Sequence, residues 1–303
     1  MEIAAGIVLF HPNKDRFVKC LNIIINQIDC VFLYDNVGDE SEYFLNLSSK
    51  VIYLTENKNR GIAFALNKLM TEAESRGVDW LITFDQDTFV TSNLVSRYRE
   101  YLSLYNVGLI CPQVVDKRRV YIQPKRLSDY SEIDFCITSA CCTNIKIWRE
   151  VGGFDDWLFI DFVDNDFCKR LRLLKYKIIQ INDLVIDQEF GDIILKPQIV
   201  VEFYLWLSRI TGNPNIAKLS YKKKVSPLRV YYVHRNLLYL NKKYKYDGGI
   251  GYENFYCKSF LGFLFYFSLP SFIRAQKKFA VMKSILKGLI DGMKSEVLPY
   301  KIN

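Results

Sequence analysis

Short apolar runs alternate with amphipathic segments along the first half of the chain. The runs have the length and the β-branched or aromatic composition of buried strands. They cover residues 2–10, 31–34, 51–54, 80–84 and 107–114. Between them, apolar residues recur every three or four positions at 17–25 and 63–73, which predicts helices. Strands and helices in this order predict an α/β fold, with a mainly parallel sheet covered by flanking helices.

Polar side chains follow the ends of these predicted strands. They are His11, Asp35, Asn57, Asp85 and Asp87. In open α/β sheets, ligands bind at the edge where the carboxyl ends of the strands meet. The repeated placement of polar groups at strand ends therefore predicts a ligand cleft along one edge of the sheet.

The segment Asp85-Gln86-Asp87 places two carboxylates directly after a predicted strand. Two such groups repel each other unless a cation or a hydrogen-bonding ligand lies between them. A hard divalent ion commonly binds one or two carboxylates together with substrate phosphates. The triplet therefore indicates a metal-diphosphate site, although Asp and Thr are also common where a strand leads into a loop, and the triplet alone does not separate the two explanations.

Three further acids, Asp161, Asp164 and Asp166, surround the start of a predicted helix. Carboxylates in a first helical turn can simply complement the helix dipole. They also follow the apolar run 157–160, which favours a second explanation, in which some of them point into a cleft. The neighbouring segments are predicted as a loop or hairpin over the site at 116–130, a strand at 135–143, a short helix at 145–151 and short strands at 177–181 and 184–186.

Composition and charge add a division of the chain. Its 303 residues, half of them hydrophobic, fit one large α/β domain with an added C-terminal part and exclude disorder. From residue 196 onward there are 19 basic and 5 acidic residues, whereas residues 1–195 hold 22 basic and 28 acidic ones. The two parts are therefore expected to present different surfaces, the basic one suited to anionic lipid or nucleic acid.

Two observations predict the cellular compartment. The first ten residues lack a positively charged start and a cleavage site, so no signal peptide is expected. The eight cysteines show no spacing typical of zinc or redox sites, which is typical of reduced, mostly buried cysteines in a cytoplasmic protein.

The C-terminal part combines aromatic, apolar and basic stretches. Residues 221–246 are basic and aromatic, and 259–273 form an uncharged apolar stretch interrupted by Pro270. This stretch is shorter than the roughly 20 residues that a membrane span needs. Residues 279–290 then show apolar positions at helical spacing with lysines between them, as in helices that lie on anionic membranes. The alternative is a helical subdomain whose apolar face packs on the core or on a second copy of the chain.

Several segments, in order, resemble family-2 glycosyltransferases of the GT-A fold, and among them the rhamnosyltransferase-like branch. The similarity covers about residues 3–240 and is carried by 6–12, 34–36, 59–67, 85–88, 153–164 and 231–236. The resemblance implies a GT-A domain at 1–215 with a Rossmann-like nucleotide-binding half. Its donor part is expected at about 1–115 and its acceptor part at about 116–215. A basic, aromatic helical region at 216–303 follows it, as a membrane-surface or dimer contact.

The resemblance also implies roles for individual residues. Asp164 matches the catalytic base, with Asp166 and Asp161 as alternatives. Asp87 is the expected ligand of Mg²⁺ or Mn²⁺, and Asp85 contacts the ribose, a metal-bound water or the ion itself. The implied donor-binding residues are His11, Asp35, Asn36, Arg60, Asn67, Asp85 and Gln86. The implied acceptor-binding residues are Trp157, Asp161, Asp166, His234 and Arg235.

Physical chemistry agrees with these roles. A nucleotide-sugar donor leaves as a nucleoside diphosphate, and a divalent ion on the diphosphate neutralises its charge, as would Arg60 at a helix start. Asp35 can accept the N3–H of uracil or thymine. One ionised carboxylate that accepts the proton of the attacking hydroxyl predicts a single displacement with inversion.

One position departs from the family pattern. Where many relatives have a histidine that helps to bind the metal, this chain has Gln188. The third metal ligand is therefore expected to be Glu189 or water.

The expected activity is transfer of L-rhamnose from dTDP-rhamnose to a hydroxyl of a growing, lipid-linked cell-surface polysaccharide. The expected location is the cytoplasmic face of the cell membrane, on an anionic surface and without nucleic acid. Other donors, such as a UDP-hexose or UDP-galactofuranose, are the first alternative. A nucleotidyltransferase lacks support, because no glycine-rich, basic triphosphate loop follows the first strand. A membrane- or nucleic-acid-binding protein on an inactive GT-A fold is the non-enzymatic alternative.

Overall fold

The computed structural model describes residues 1–38, 41–119, 128–188, 191 and 193–301. They form two compact units. The described residues of the first unit lie within Met1–Val115 and Pro124–Gln188, and those of the second lie within Asp116–Gln123 and Glu189–Asn303. The main boundary between the two units thus follows Gln188, whereas the predicted boundary of the first domain was residue 215. It falls there because strand β9 (Ile193–Leu195) pairs with strand β10 (Tyr221–Lys223), which joins this segment to the C-terminal helices.

The first unit is built on an eight-stranded sheet. Its strands are β1 (Ile3–Leu9), β2 (Val31–Asp35), β3 (Val51–Thr55), β4 (Trp80–Asp85), β5 (Val107–Val115), β6 (Tyr130–Glu132), β7 (Cys141–Asn144) and β8 (Lys177–Asp187). The strand order is β3-β2-β1-β4-β7-β5-β8-β6. The pairs β3–β2, β2–β1, β1–β4 and β5–β8 are parallel. The predicted α/β fold with a mainly parallel sheet is confirmed.

Helices cover this sheet. They are α1 (Lys14–Ile25), α2 (Ser41–Leu45), α3 (Ile62–Ser75), α4 (Leu94–Arg99), α5 (Ile145–Glu150) and α6 (Val163–Leu173). Asn13 caps the N-terminus of helix α1, since its side chain accepts a hydrogen bond from the Arg16 N–H. The helix buries Phe17, Leu21 and Ile24. Each large apolar side chain buried in this way stabilises the fold by about 1.5–3 kcal/mol.

The structure differs from the predicted elements in the second half of this unit. The two predicted short strands at 177–181 and 184–186 form the single strand β8, whose pairing with β5 shifts register between Pro112 and Gln113. The predicted strand at 135–143 is reduced to β7, which inserts antiparallel between β4 and β5. At the end of the predicted loop or hairpin over the site, Tyr130 begins strand β6, and 120–127 lie outside the described residues.

The second unit is mainly helical. Its helices are α7 (Gln198–Thr211), α8 (Pro214–Ala217), α9 (Pro227–Lys243), α10 (Phe260–Phe263), α11 (Leu269–Arg274) and α12 (Lys278–Lys294). The apolar stretch is helical from Phe260 to Arg274: a π-helical segment, Leu264–Ser268, connects α10 to α11, and Pro270 lies in the first turn of α11 directly after it. Among the described helices, none combines the length and apolarity that crossing a membrane requires.

Helix α12 packs closely on α9 through two glycines. A Cβ atom on Gly288 would lie 2.5 Å from the Tyr231 carbonyl oxygen, and one on Gly292 would lie 2.8 Å from the Arg235 carbonyl oxygen. Backbones can approach this closely only where no side chain separates them. Val281 and Ile285 continue the same buried face of α12.

Candidate active site

The carboxyl end of the central strand β4 holds Asp85 in a defined position. Its N–H donates to the Ser139 hydroxyl at 3.4 Å, and the Gln188 Nε2 donates to its Oδ2 at 2.5 Å. Gln188 directly follows β8, so the ends of two strands are joined through this carboxylate. The Gln188 Oε1 is buried and has no hydrogen-bond partner among the described residues.

A turn after β4 carries Asp87 out to solvent. The Thr88 N–H donates to the Asp85 carbonyl at 3.2 Å, and the Thr88 hydroxyl lies 2.6 Å from that of Ser139. Thr88 is buried whereas the side chain of Asp87 is exposed. The rigid turn therefore presents the Asp87 carboxylate without burying it.

Gln86, predicted to bind the donor, is hydrogen-bonded to the backbone that follows β1. Its Oε1 accepts from the Phe10 N–H at 2.8 Å and its Nε2 donates to the Phe10 carbonyl at 3.2 Å. This reciprocal pair joins the chain after β1 to the chain after β4. Two hydrogen bonds of its amide are thus made to the protein backbone, and its prediction as a donor contact stays a prediction.

The residues at this edge fit a divalent cation as a partial ligand set. Among the described residues, no three His, Cys, Asp or Glu side chains are grouped to hold a metal by themselves. Asp85 and Asp87 offer carboxylate oxygens, and the unpaired, buried Oε1 of Gln188 is a further hard oxygen beside Asp85. Such a set suits Mg²⁺ or Mn²⁺ that takes its remaining ligands from water and substrate phosphates. Glu189, the other predicted ligand, lies outside the described residues.

Asp164 lies in the first turn of α6 and is partly buried. It borders a small void whose wall includes Phe154, Phe167 and Cys168. The pKa of Asp164 is raised from 3.8 to about 6: burial raises it most, backbone N–H donors lower it in part, and the charges of Asp161 and Asp85 contribute smaller increases. A carboxylate with this pKa is ionised at neutral pH and still basic enough to accept a proton.

The chain reaches α6 through a strained turn. Asp161 and Phe162 both have positive φ, 68° and 66°, which residues other than glycine rarely adopt. Backbone strain of this kind costs about 1–3 kcal/mol per residue and is common in functional sites. Asp161 is partly buried, and its charge raises the pKa of Asp164. Trp157 is also partly buried and lies in the preceding loop, where its backbone N–H donates to Asp155 Oδ1 at 3.1 Å.

Asp166, predicted as an acceptor ligand and as an alternative base, is structural. It is fully buried, and its Oδ2 accepts from Arg170 Nε at 2.9 Å and from Nη2 at 2.6 Å. Arg170 also donates to the Val151 carbonyl at 2.7 Å. A buried carboxylate held in this way by a guanidinium is unavailable to an acceptor.

Asp35 and Asn36 lie at the end of β2, as predicted, and both are buried. Asp35 Oδ1 accepts from the Val37 N–H at 2.9 Å and its Oδ2 accepts from the Tyr53 hydroxyl at 2.8 Å. By contrast, the Asn36 Oδ1 and the Tyr34 hydroxyl are buried without a hydrogen-bond partner among the described residues. Unpaired buried polar atoms are rare in native proteins and call for a ligand or water.

Arg60 lies just before α3 with about half of its side chain exposed. Its Nη1 is 3.2 Å from Glu56 Oε2, and its guanidinium stacks 3.7 Å from the centre of the Phe64 ring. Lys68 contacts the same Glu56 at 2.7 Å. Two cations therefore share Glu56 beside the end of β3, and the Asp35 carboxylate lies at the end of the neighbouring strand.

Asn67, predicted to bind the donor, instead fixes the loop that leads to α6. Its Nδ2 donates to the Phe154 carbonyl at 2.8 Å and to Asp156 Oδ1 at 2.7 Å. Its Oδ1 accepts from the Phe154 N–H at 2.8 Å and from the Trp148 indole at 3.3 Å. All four hydrogen bonds of the amide are made within the protein.

The two histidines lie in different surroundings. His11 is exposed after β1 with a φ of 47°, so its prediction as a donor contact stands as a prediction. His234, predicted to bind the acceptor, is fully buried in the second unit, with Nδ1 2.7 Å from the Val230 carbonyl and Nε2 2.7 Å from the Ser268 hydroxyl. Burial lowers its pKa to about 4, so it is a neutral structural residue. Its neighbour Arg235 is partly buried and lies 4.7 Å from the Tyr232 ring.

Two supporting residues were absent from the sequence prediction. Ser139 contacts both Asp85 and Thr88, and Tyr53 holds Asp35. Tyr53 could have been recognised from the sequence, because its polar hydroxyl stands out in an otherwise aliphatic predicted strand. Ser139 lies in the part of the predicted strand 135–143 that precedes β7 and is not a strand in the structure, so its position could not have been anticipated.

Comparison with known proteins agrees with this geometry. The chain matches glycosyl transferase family 2 over residues 7–180. It is 26% identical over 213 residues to the dTDP-rhamnosyl transferase RfbF of Shigella flexneri, covering 63% of this chain and 70% of that protein.

Two solved structures share the fold. The mannosyltransferase PcManGT of Pyrobaculum calidifontis, in complex with GDP-Man and Mn²⁺, superimposes with a TM-score of 0.52 at 13% identity, over 98% of this chain and 76% of that one. GalNAc-T7 with UDP, GalNAc and Mn²⁺ gives 0.53 at 11% identity over 89% of this chain, which spans 57% of its length. At these identities the likeness concerns the fold alone.

Proposed function

Because the chain belongs to glycosyltransferase family 2, we propose that it transfers L-rhamnose from dTDP-rhamnose to a hydroxyl of a growing, lipid-linked cell-surface polysaccharide. The coarser activity follows from the family: the chain is a glycosyltransferase with a nucleotide-sugar donor. The choice of rhamnose is supported by the similarity to RfbF. A UDP-hexose or UDP-galactofuranose is the alternative donor.

The observation that carries the proposal is the position and pKa of Asp164. Its carboxylate lies close enough to Asp85, on the strand end assigned to the diphosphate, for the charge of Asp85 to raise its pKa. A base near the donor site is what inverting transfer needs. The acceptor oxygen forms a bond to the anomeric carbon while the bond from that carbon to the diphosphate oxygen breaks. The hydroxyl proton passes to Asp164, and the bonding electrons leave with the nucleoside diphosphate.

The donor would lie along the ends of β2, β3 and β4. The unpaired Asn36 Oδ1 and Tyr34 hydroxyl support binding of the nucleobase there. Asp35 would act mainly through its bonds to Tyr53 and Val37, which fix this strand end. Arg60 would add positive charge for the diphosphate, supported by its exposure beside the same strands.

Asp87 and Asp85, with Gln188 as a neutral third oxygen donor, are the residues that would hold Mg²⁺ or Mn²⁺. The cation, when bound, supplies positive charge that stabilises the leaving diphosphate. Asp161 and Trp157 would contact the acceptor, since both belong to the loop that leads to Asp164.

Donor binding and turnover can be tested separately. Thermal-shift measurements with dTDP-rhamnose, UDP-glucose and UDP-galactofuranose, each with and without Mn²⁺, should give the largest metal-dependent stabilisation with dTDP-rhamnose. Asp164→Asn should keep that stabilisation but lose nucleotide release in the presence of acceptor. If none of the nucleotide sugars stabilises the protein in a metal-dependent way, the proposed donor site is wrong.

The proposed location is the inner face of the cell membrane, and α12 supports it. The apolar residues of this helix divide between two faces. Val281, Ile285, Gly288 and Gly292 form the buried face, and Phe279, Met282, Leu286, Ile290 and Met293 are exposed. The exposed Lys283 and Lys287 lie beside the exposed apolar stripe. The packing and membrane interpretations of this helix are therefore compatible, since each uses a different face.

A further inference from the structure

Helix α7 of the second unit exposes a second apolar stripe. Ile199, Phe203, Trp206 and Ile210 are 83%, 53%, 54% and 63% exposed. Their spacing of four, three and four residues places them on one face of the helix. Val201 is the residue of α7 that is buried. We call the four exposed residues the α7 stripe.

The surroundings of the α7 stripe are basic. Between residues 196 and 229 the sequence holds seven Lys and Arg residues and one acid, Glu202. Lys196 precedes α7 and its ammonium lies 4.9 Å from the Tyr204 ring of the helix. Arg209, in the last turn, and Lys222, on β10, are exposed. Lysine and arginine beside an apolar face let a helix bind in the plane of an anionic membrane.

The basic charge around the α7 stripe favours an anionic membrane over a second copy of the chain as the partner of this surface. A second copy of the chain would bring the same basic excess to the interface, and like charges oppose such association. An anionic bilayer offers the complementary charge and an apolar layer for the stripe. Trp206 lies near the centre of the stripe, and tryptophan is enriched where membrane and water meet, because its ring is apolar and its N–H is polar.

We propose that α7 inserts its apolar stripe into the interfacial layer of an anionic phospholipid bilayer, as a membrane contact separate from α12. The inference rests on the proposed peripheral membrane location. It adds a second element, so that the unit would bind lipid through two helices rather than one. Loss of either helix should then weaken binding without abolishing it.

Trp206 supplies a direct test. The other tryptophans, Trp80, Trp148 and Trp157, belong to the first unit, where the first two are buried. Full-length protein is mixed with vesicles of phosphatidylglycerol and brominated phosphatidylcholine, which quench only fluorophores near the acyl chains. We expect quenching in the wild type and its loss in Trp206→Phe, while vesicle binding by sedimentation is retained.

Replacing Phe203 by Ser tests the contribution of the stripe to affinity. Phe203→Ser should weaken vesicle binding by about 10-fold or more, as expected when one large apolar side chain no longer leaves water. Tyr105→Ser is the matched control, because Tyr105 is an 88% exposed aromatic residue of the first unit. It should bind vesicles like the wild type. Unchanged melting temperatures of both variants would show that folding is intact.

The outcomes separate this inference from the proposed location. If the wild type binds vesicles but is quenched no more than Trp206→Phe, the stripe does not enter the bilayer, and the peripheral location stands on α12. If the protein binds neither anionic nor neutral vesicles, both proposals fail. If light scattering instead shows a dimer that Phe203→Ser dissociates, the stripe is a self-association surface and the inference is overturned.

Discussion

Replacing Asp164 by Asn is expected to stop turnover and, at the same time, to stabilise the protein at alkaline pH. The ionised carboxylate is disfavoured in the folded chain, since burial raises its pKa from 3.8 to about 6. This difference corresponds to roughly 3 kcal/mol at 1.36 kcal/mol per pH unit. The folded state is not destabilised by this group below the unfolded pKa of 3.8. The destabilisation grows as the pH rises from about 4 to about 6, and it reaches its full size above about pH 6. Asparagine cannot ionise, so the variant avoids it.

The measurement is urea unfolding of both proteins at pH 4.5 and at pH 8. Tryptophan fluorescence in a Trp206→Phe background follows the first unit, where the remaining tryptophans lie. A chelator keeps cations away, because an ion beside Asp85 would itself lower the pKa of Asp164. The stability of Asp164→Asn relative to the parent should rise by about 2 kcal/mol between the two pH values. Turnover should fall by about 10²–10⁴-fold with donor affinity little changed.

Asp166→Asn is the matched control, two residues further along the same helix. It breaks the buried pair with Arg170 and should destabilise the protein by about 3–5 kcal/mol at pH 8, because an unpaired charge is left in the interior. If Asp164→Asn is no more stable relative to the parent at pH 8 than at pH 4.5, the fold does not raise the pKa of Asp164 and the reasoning is wrong. If Asp166→Asn proves to be the stable but inactive variant, the base has been assigned to the wrong residue.

Three other predictions follow from the same unit and from α12. Asp87→Ala should abolish Mn²⁺-dependent nucleotide binding and transfer with an unchanged melting temperature, because the side chain is exposed; wild-type metal dependence in this variant would refute the assignment. Asn67→Ala should destabilise the first unit by about 1–3 kcal/mol, since buried partners lose their hydrogen bonds, and an unchanged unfolding curve would show that they are replaced by water. Reversing Lys283 and Lys287 to Glu should release the protein from anionic vesicles at low salt, at about 1 kcal/mol per lysine, whereas equal binding of the wild type to neutral and anionic vesicles would exclude an electrostatic contact.

Local patterns were sufficient for the elements that present the site. Strand β4 is a continuous apolar run that stops at Asp85, and the order of strands and helices determines which strand ends share an edge. Asp85, Asp87 and Asp35 could therefore be placed together from the sequence, because their positions depend on neighbours in the chain. Asp164 was identified through its motif, but its raised pKa depends on burial and on distant charges that no local pattern contains.

Two residues that were predicted to bind ligands are held by contacts across long separations in the chain. Asn67 bonds to residues more than 80 positions away, and His234 bonds to Ser268, 34 positions away. A motif shows that such a residue is present but not whether its polar atoms face a ligand or the protein. For the same reason the sequence did not separate the two apolar faces of α12, since only Gly288 and Gly292 mark the side that packs on α9.

The close contact between the start of α3 and the loop before α6 has a consequence for engineering. Gly61 has a φ of 92°, and a Cβ atom there would lie 2.5 Å from the Phe159 carbonyl oxygen, which also accepts the Ile62 N–H at 2.8 Å. Residues 59–67 and 153–162 therefore pack against each other as one complementary contact. A chimera that imports the acceptor loop of another glycosyltransferase should retain its fold only if both segments are exchanged together.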